Sequence, residues 1–294
     1  MSERFQLNWL RLRESADLAA RNPTLARRFA AALPARQPLR LIDLAAGSGA
    51  NTRALLPRIA GDQHWRLIDR DRDLIAAQAE EFTLWARQQG HPITAGGGRI
   101  FIAAQPAHWE IDAMPLDLDR DFATLEELAF DGLAAASFFD LVSQAWLEGF
   151  VALLAKHPVP FLAALTVDGR RAWQPPLDDD ALIATAFAAH QRRLKDFGPA
   201  LGGTAPDAME RLLRQAGFRI ERAPSDWHLG NSTGGPRDAA LLGALIAGEV
   251  EAAREAAPAD SDRIDAWETA RHALLAEQRL SLTVGHCDLL ALPA

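Results

Sequence analysis

The residues with the clearest chemical meaning are two glycines that follow a short apolar run. Residues 39–44 are apolar apart from Arg40 and Asp43, and residues 45–49 read AAGSG. This pattern predicts a β-strand, a tight turn and the start of a helix, because glycine adopts backbone angles that other residues avoid. Gly47 and Gly49 would let the backbone approach a ligand at the helix N-terminus, where N–H groups are free to donate. The segment predicts a nucleotide-like ligand; the alternative is an ordinary strand-to-helix turn.

A second carboxylate, Asp69, ends the next predicted strand, residues 65–69, and lies 20 residues after Gly49. In a doubly wound fold, an acidic residue at this place accepts hydrogen bonds from both hydroxyls of a ribose. Asp69 alone is equally well interpreted as the N-cap of the helix predicted from about residue 71. The glycine turn and Asp69 together favour a ribose-containing ligand more than either does alone.

Composition limits the class of protein and of partner. The 294 residues suffice for one large or two smaller domains, and 49% hydrophobic with 24% charged residues is typical of a folded globular protein. The net charge of -8 opposes sequence-independent binding to phosphate backbones, so we expect no nucleic-acid partner. The lone Cys287 excludes an internal disulfide and favours a reducing, cytoplasmic location. Residues 1–9 are charged and no apolar run reaches ~18 residues, which predicts neither export nor membrane insertion.

The predicted elements alternate as expected for an α/β protein. Residues 1–36 form two helices, which we interpret as an N-terminal helical cap, and residues 37–294 form the main domain with a helical insert at about 236–279. We predict a doubly wound, mostly parallel, seven-stranded Rossmann-like sheet with an antiparallel terminal strand. The main strands are predicted at residues 39–44, 65–69, 109–115, 133–136, 159–167, 218–222 and 280–292, with 99–103 as a hairpin partner of the third. Further helices are predicted at about 71–89, 139–155, 179–195, 204–217, 238–256 and 262–278.

At these residues the sequence resembles the class I S-adenosylmethionine-dependent methyltransferases, and within them a bacterial subgroup that includes small-molecule enzymes. The first motif of that family has an acidic residue followed by Gly-x-Gly-x-Gly. Asp43, Gly47 and Gly49 match it, whereas Ala45 stands at the first glycine. Asp69 lies where the family binds the ribose. The resemblance covers most of the chain, including residues 216–220 and 282–292, which look like the family's terminal strand pair.

The resemblance implies S-adenosylmethionine as cofactor and methyl transfer to a small-molecule acceptor. Such transfer is an in-line displacement that depends on positioning and desolvation, so the sequence assigns no catalytic residue. Asp117 lies near where a third acidic residue meets the adenine, although Asp112, Asp119 and Asp121 crowd the same stretch. Ser137 follows the fourth strand. It either forms a hydrogen bond with the methyl acceptor or is the N-cap of a helix near residue 139. The implied cofactor-binding residues are Asp43, Ala45, Gly47, Gly49, Asn51, Asp69, Arg70, Asp117, Ala136 and Ser137.

Three residues are candidates for binding the acceptor: His190, Asp226 and Trp227. His190 precedes a basic run, Arg192, Arg193 and Lys195, which suits an acidic acceptor; the alternative is a solvated helix face. Asp226 and Trp227 follow the sixth strand in a predicted loop that would close over an acceptor as a lid. The alternative makes Trp227 a packing residue.

Two weaker candidates for the site lie in the first helix, and no metal site is predicted. Arg13 and Asp17 of this helix, together with Trp9, either belong to the acceptor site or only pack against the rest of the protein. The histidines at 91, 108 and 286 have no ligand spacing with cysteine or carboxylates, so we expect no metal.

Two other functions use the same features. An NAD(P)-dependent oxidoreductase would share the glycine turn and Asp69, but its fingerprint requires glycine where Thr52 stands and does not explain Asp43. A non-catalytic methyltransferase-like module would bind a partner through the helical cap and the insert. The intact Asp43, Gly47, Gly49 and Asp69 argue against a degenerate pocket.

Overall fold

Helices and strands alternate over residues 39–88, as predicted, whereas residues 93–136 form four strands with no α-helix between them. The computed structural model describes residues 6–195, 197–230 and 236–294, without the side chains of Leu194, Lys195 and Pro236. The helices are α1 (Leu7–Ala20), α2 (Pro23–Ala32), α3 (Ala50–Leu55), α4 (Arg72–Gln88), α5 (Gln144–Lys156), α6 (Asp180–Gln191), α7 (Ala205–Gln215), α8 (Pro236–Ala256) and α9 (Ser261–Ala276). The strands are β1 (Leu39–Leu44), β2 (Gln63–Asp69), β3 (Ile93–Gly96), β4 (Arg99–Ala104), β5 (Ala107–Pro115), β6 (Gly132–Ala136), β7 (Phe161–Gln174), β8 (Leu194–Lys195), β9 (Gly198–Pro199), β10 (Arg219–Pro224), β11 (Trp227–Gly230) and β12 (Ser281–Leu292).

A single large sheet organises the described part of the chain. It has ten strands in the order β10-β12-β7-β6-β1-β2-β5-β4-β3, with β11 also paired to β12. The five central neighbours β7, β6, β1, β2 and β5 run parallel. β12 is antiparallel to β7, as predicted for the terminal strand. The carboxyl ends of β2, β1 and β6 therefore lie side by side at one edge of the sheet.

The prediction of a mostly parallel, seven-stranded sheet is wrong in two respects. The seven predicted strands are all present, but β3, β4 and β11 bring the number to ten. The ladders of β3, β4, β10, β11 and β12 are antiparallel, so the sheet is mixed. Antiparallel neighbours need only short connections, and β3 turns into β4 through Gly97 and Gly98, both with positive φ. A glycine run between short strands was the sequence signal for this hairpin.

Buried side chains cover both faces of the central strands. Along β1, Leu39 and Leu41 belong to a core with α2 and α4, whereas Ile42 and Leu44 belong to a core with α5 and α7. This arrangement explains why β1 is a nearly continuous apolar run rather than an alternating one.

A third core lies beyond the carboxyl ends of the parallel strands. β7 continues to Gln174, past the predicted end at residue 167, and pairs there with the first half of β12. Trp173, Trp227 and Trp267 are buried in this core together with residues of α6, α8 and α9. Partly buried Leu12 and Ala16 of α1 also pack against it. The N-terminal helix is thus joined to the helical insert.

Two predicted helix starts differ from the structure. The helix predicted from residue 139 begins at Gln144, because the side chain of Ser143 accepts from the amide of Trp146 and caps it. Thr204 precedes α7 but does not cap it; its hydroxyl donates to the carbonyl of Leu201 instead. None of the described helices is both long and apolar enough to cross a membrane.

Candidate functional site

The turn after β1 has the backbone that its sequence predicts. Gly47 and Gly49 have φ of 54° and 82°, in the left-handed region that favours glycine. A Cβ at Gly49 would lie 2.5 Å from Cε2 of Phe82, so packing also requires glycine there. Ala45 has φ of 51°, so the backbone is left-handed where the resembled motif has its first glycine. The backbone is thus left-handed at Ala45, Gly47 and Gly49 alike, although the first of these positions is not glycine.

Asp43 lies at the end of β1 and stabilises the start of α3. Its carboxylate is fully buried, and it accepts from Nδ2 of Asn51 and from Oγ1 of Thr52, both at 2.7 Å. Burial raises the pKa of Asp43 to about 6, although both hydrogen bonds oppose this shift. Oδ1 of Asn51 in turn accepts from Arg21 at 2.8 Å. Asp43 and Asn51 therefore act in the structure as supports of the glycine turn.

Asp69, at the end of β2, is tied directly to the glycine turn. Its Oδ2 accepts from the amide of Gly47 at 2.7 Å, and its Oδ1 accepts from the amide of Asp71 at 2.9 Å. The N-cap of α4 is Asp71, so the interpretation of Asp69 as a cap is wrong. Partial burial raises the pKa of Asp69. The backbone amide of Arg70 also donates to this carboxylate, which has about four lone-pair positions, so Asp69 retains some acceptor capacity.

Gln78 of α4 supports the same turn and was missed by the sequence analysis. Its Nε2 donates to the carbonyl of Gly47 at 2.8 Å, and the side chain is buried. Its Oε1 is buried without a hydrogen-bond partner among the described residues. Both backbone groups of Gly47 are thus held, one by Asp69 and one by Gln78. Nothing in the sequence distinguished Gln78 from other polar helix residues.

Two further predicted cofactor residues lie beside Asp69. Asp117 follows β5, whose end is joined to β2 by the amide of Leu116 donating to the Asp69 carbonyl at 2.9 Å. The Asp117 side chain accepts from the amide of Asp119 at 3.1 Å, so it stabilises its own turn. Arg70 follows Asp69 and is half-buried.

Ala136 and Ser137 lie at the end of β6, next to the glycine turn. β1 and β6 are parallel neighbours and pair up to Leu44 and Ala135. Oγ of Ser137 accepts from Nη2 of Arg13 at 2.7 Å. Ser137 does not cap a helix, since Ser143 caps α5, so the N-cap interpretation is wrong. A hydrogen bond from Ser137 to the methyl acceptor stays a prediction.

The contact of Ser137 belongs to a polar cluster beneath α1, which we call the Arg13 cluster: Arg13, Asp17, Ser137, Trp227 and His286. Arg13 donates to both carboxylate oxygens of Asp17, at 2.9 and 3.0 Å. Its Cζ lies 4.9 Å from the ring centroid of Trp227, and Nε1 of Trp227 donates to Asp17 at 3.1 Å. The sequence had offered Arg13 and Asp17 only as weak candidates. The cluster places a cation and a carboxylate beside the end of β6.

Trp227 belongs to this cluster and Asp226 precedes it in the chain, but the two residues do not form a lid. Trp227 begins β11, is paired to β12 and is 3% exposed, so the packing interpretation is correct and the predicted loop is wrong. Asp226 accepts from two nitrogens of Arg170, at 2.8 and 3.0 Å, and from the amide of His286 at 3.1 Å. Burial works to raise the pKa of Asp226, but Arg170 and the amide outweigh it and the pKa is lowered.

His286 is the second residue that the sequence analysis missed, having considered it only as a metal ligand. Its ring lies 4.9 Å from that of Trp227, and its Nδ1 is 3.0 Å from the carbonyl of Val284. That contact fixes Nδ1 as the protonated nitrogen of a neutral ring. Burial, and after it the charge of Arg13, lowers the pKa of His286 to about 4. The imidazole is therefore neutral at physiological pH.

His190 lies apart from the Arg13 cluster. It is near the end of α6, where its Nε2 is 3.5 Å from the carboxylate of Glu255 on α8 and contacts Arg193. Arg193 also pairs with Glu255. The described partners of His190 are therefore Glu255 of α8 and Arg193. The side chain of Lys195 lies outside the described residues.

One group of described side chains has the geometry of a metal site, and the sequence analysis did not propose it. Ligand atoms of His64, Glu110 and Asp112 lie within 4.8 Å of one another on neighbouring strands β2 and β5. Nε of Arg99 is 3.4 Å from Asp112, and Arg66 is 4.0 Å from it. These guanidinium groups neutralise the carboxylates that a cation would need.

No protein-family model matches the chain, and no curated protein matches it in sequence. The fold is similar to that of a SAM-dependent methyltransferase from Geobacter sulfurreducens in complex with S-adenosyl-L-homocysteine, with 15% identity, coverage of 98% of this chain and 99% of the other, and a TM-score of 0.44. It is also similar to a SAM-dependent methyltransferase from Thiobacillus denitrificans in complex with the same ligand, with 14% identity, coverage of 100% of both chains and a TM-score of 0.42.

A third similar structure is a cyclopropane-fatty-acyl-phospholipid synthase-like protein from Lactobacillus casei, with 11% identity, coverage of 94% and 98%, and a TM-score of 0.44. At this level of similarity the neighbours assign no activity to the chain.

Proposed function

We propose that the protein transfers a methyl group from S-adenosylmethionine to a small-molecule acceptor at the carboxyl edge of β2, β1 and β6. The observation that carries this proposal is the hydrogen bond from the Gly47 amide to Asp69. It joins a glycine turn and a carboxylate from two adjacent parallel strands, which is the arrangement that binds a ribose with its attached chain in open α/β sheets.

The residues at this edge fit an adenosyl amino acid. Asp69 retains acceptor capacity for a ribose hydroxyl, and the left-handed turn at Ala45, Gly47 and Gly49 brings bare backbone to the ligand. Asn51 and Asp43 hold that turn from below. We propose the remaining cofactor contacts at Arg70, Asp117, Ala136 and Ser137, which follow the neighbouring strand ends.

The fully buried Thr52 favours this ligand over a dinucleotide. Its hydroxyl donates to Asp43 at the position where the dinucleotide fingerprint has a glycine for close helix-to-strand packing. The buried carboxylate of Asp43 needs hydrogen-bond donors, and the hydroxyl of Thr52 is one of them. The sequence feature that counted against an oxidoreductase thus has a structural role.

S-adenosylmethionine, when bound, supplies a methyl group on a sulfonium sulfur, and in-line attack by an acceptor atom breaks the carbon–sulfur bond and leaves S-adenosylhomocysteine. The protein's part is to orient the two reactants and to exclude water. α1 covers the glycine turn: Cδ1 of Leu10 would lie 3.2 Å from a Cβ at Gly47. We propose that the neutral His286 and the Ser137 hydroxyl orient the acceptor beside the end of β6.

The acceptor is proposed to be a small molecule because the site is covered by α1. Access requires α1 to move, which would break ion pairs such as Glu14 with Arg53 and Arg11 with Glu81, each of which has one buried partner that must then find water. We therefore propose residues 1–36 as a cap on the 37–294 domain. The -8 net charge further disfavours a nucleic-acid acceptor.

Titration calorimetry tests the proposal. The wild-type protein is titrated in parallel with S-adenosylhomocysteine, S-adenosylmethionine and NADPH, and we expect heat with the first two only. Asp69→Asn should weaken binding of both by at least tenfold, because the amide is an uncharged and poorer partner for a ribose hydroxyl.

Asp71→Asn is the matched control, since asparagine caps a helix as well as aspartate and Asp71 lies two residues away. Its affinity should equal that of the wild type. Binding of NADPH without S-adenosylhomocysteine would instead indicate an oxidoreductase. Absence of heat with all three ligands would indicate a non-catalytic module.

A further inference from the structure

Arg13 is the charged group of α1 that reaches the end of β6. Its Nη2 donates to Oγ of Ser137 at 2.7 Å, and its guanidinium lies over the face of Trp227, 4.9 Å from the ring centroid. The side chain is 13% exposed, so it is held in place rather than free in solvent. Three neighbours, Ser137, Trp227 and Asp17, fix the plane of the guanidinium.

The partner of Arg13 on its own helix is a carboxylate bound through two parallel hydrogen bonds. Nε and Nη2 donate to the two oxygens of Asp17, at 2.9 and 3.0 Å. This is the fork geometry in which a guanidinium recognises a carboxylate group. Asp17 also accepts from Nε1 of Trp227, so it keeps a partner if the guanidinium turns to another carboxylate.

The position of Arg13 along the sheet edge matches the length of an adenosyl amino acid. Asp69 ends β2, the glycine turn follows β1, and Ser137 follows β6, so two strand spacings of ~4.8 Å separate the ends that carry Asp69 and Ser137. A ligand with its ribose at Asp69 and its amino-acid chain across the turn has its carboxylate near Ser137.

The neighbouring arginines are engaged elsewhere. Arg53 donates to the carbonyl of Ser48 and to Glu14, Arg21 donates to Asn51, and Arg170 pairs with Asp168 and Asp226. These contacts hold the glycine turn, the link between α1 and α2, and the start of β11. Among the described arginines, Arg13 is the one whose guanidinium contacts the end of β6.

We infer that Arg13 binds the carboxylate at the amino-acid end of the ligand and that Asp17 competes for the same guanidinium. The inference rests on the proposed function, and it makes α1 part of the binding site as well as its cover. Closure of the N-terminal helix and recognition of the carboxylate are then the same event.

Calorimetry with two ligands tests it: S-adenosylhomocysteine carries the carboxylate, and 5′-methylthioadenosine lacks the whole amino-acid end. Arg13→Gln should weaken the binding of S-adenosylhomocysteine at least tenfold and change the affinity for methylthioadenosine by less than twofold. Arg13→Lys should give an intermediate loss, because an ammonium cannot form the paired hydrogen bonds. Asp17→Asn should strengthen the binding of S-adenosylhomocysteine severalfold, since the competing charge is removed. The amide oxygen of the asparagine can still accept the hydrogen bond from Trp227.

Arg214→Gln is the matched control, because Arg214 likewise pairs with a carboxylate four residues away on its own helix, Glu210 of α7. It should leave both affinities unchanged. Equal losses for both ligands in Arg13→Gln would show a structural role and overturn the inference, as would an unchanged affinity for S-adenosylhomocysteine. A wild-type protein that binds neither ligand would overturn the proposed function itself, so the two failures are distinguishable.

Discussion

Ala45 and Ser137 are the first residues after two neighbouring parallel strands, and both have a left-handed backbone, with φ of 51° and 52°. Left-handed angles cost a residue with a Cβ roughly 1–2 kcal/mol. Leu165, one residue past the last pair that joins β6 to β7, has φ of 54°. Unfavourable conformations thus occur together at the edge where the site lies, and the surrounding structure must hold them.

Ala45→Gly should raise the free energy of unfolding by up to about 1 kcal/mol, because relief of the left-handed strain exceeds the extra chain entropy of glycine. Chemical denaturation measures this. The neighbouring Ala46→Gly is the control: Ala46 is buried and has no left-handed backbone, so glycine there should lower stability. If both variants lose stability equally, the backbone at Ala45 is not strained.

Asp43 should make the protein less stable as the pH rises from about 4 to about 6. Its folded pKa of about 6 lies above the unfolded value, so the folded state binds more protons in this window and stability falls with pH. Asp43→Asn removes this titration. The stability of the wild type relative to the variant should fall by on the order of 2–3 kcal/mol across the window. Denaturation at pH 4 and 7 measures it, with the exposed Asp119→Asn as control.

His286 should have the opposite effect. Its pKa of about 4 in the folded protein lies below the ordinary 6.5, so the unfolded state binds more protons between these values and stability rises with pH. His286→Asn, whose amide can still donate to the Val284 carbonyl, should abolish this rise. The wild type should gain on the order of 3 kcal/mol over the variant between pH 4 and 7. If the difference in free energy of unfolding between wild type and variant does not change with pH, the pKa of His286 is the same in the folded and unfolded protein.

Trp227→Ala should lower the free energy of unfolding by about 3–5 kcal/mol, because it removes a ring that is 3% exposed and packed against Arg13 and His286. Thermal unfolding should show this loss with and without S-adenosylhomocysteine. Trp227→Phe keeps most of the buried area and loses the hydrogen bond to Asp17, so it should be milder. Wild-type stability of the alanine variant would restore the lid hypothesis.

The sequence by itself determined the elements whose signals are local. The apolar run before the glycines predicted β1, whose two faces are both buried, and Gly47 and Gly49 predicted the turn because glycine adopts left-handed backbone angles. That a side chain at Gly49 would also collide with Phe82 is visible only in the structure. Asp69 was placed at the right strand end. Its alternative role as a helix cap could be excluded only when Asp71 was seen to cap α4.

The tertiary structure alone decided which distant residues meet. Arg13 and Ser137 are 124 residues apart, and Trp227 and Asp17 are 210 apart, so no local pattern could pair them. The pairing of β11 with β12 converted a predicted loop into a buried strand, and the burial that gives His286 its low pKa comes from that packing. Periodicity reports which face of an element is buried, but what lies against that face depends on contacts between elements that the chain brings together only on folding.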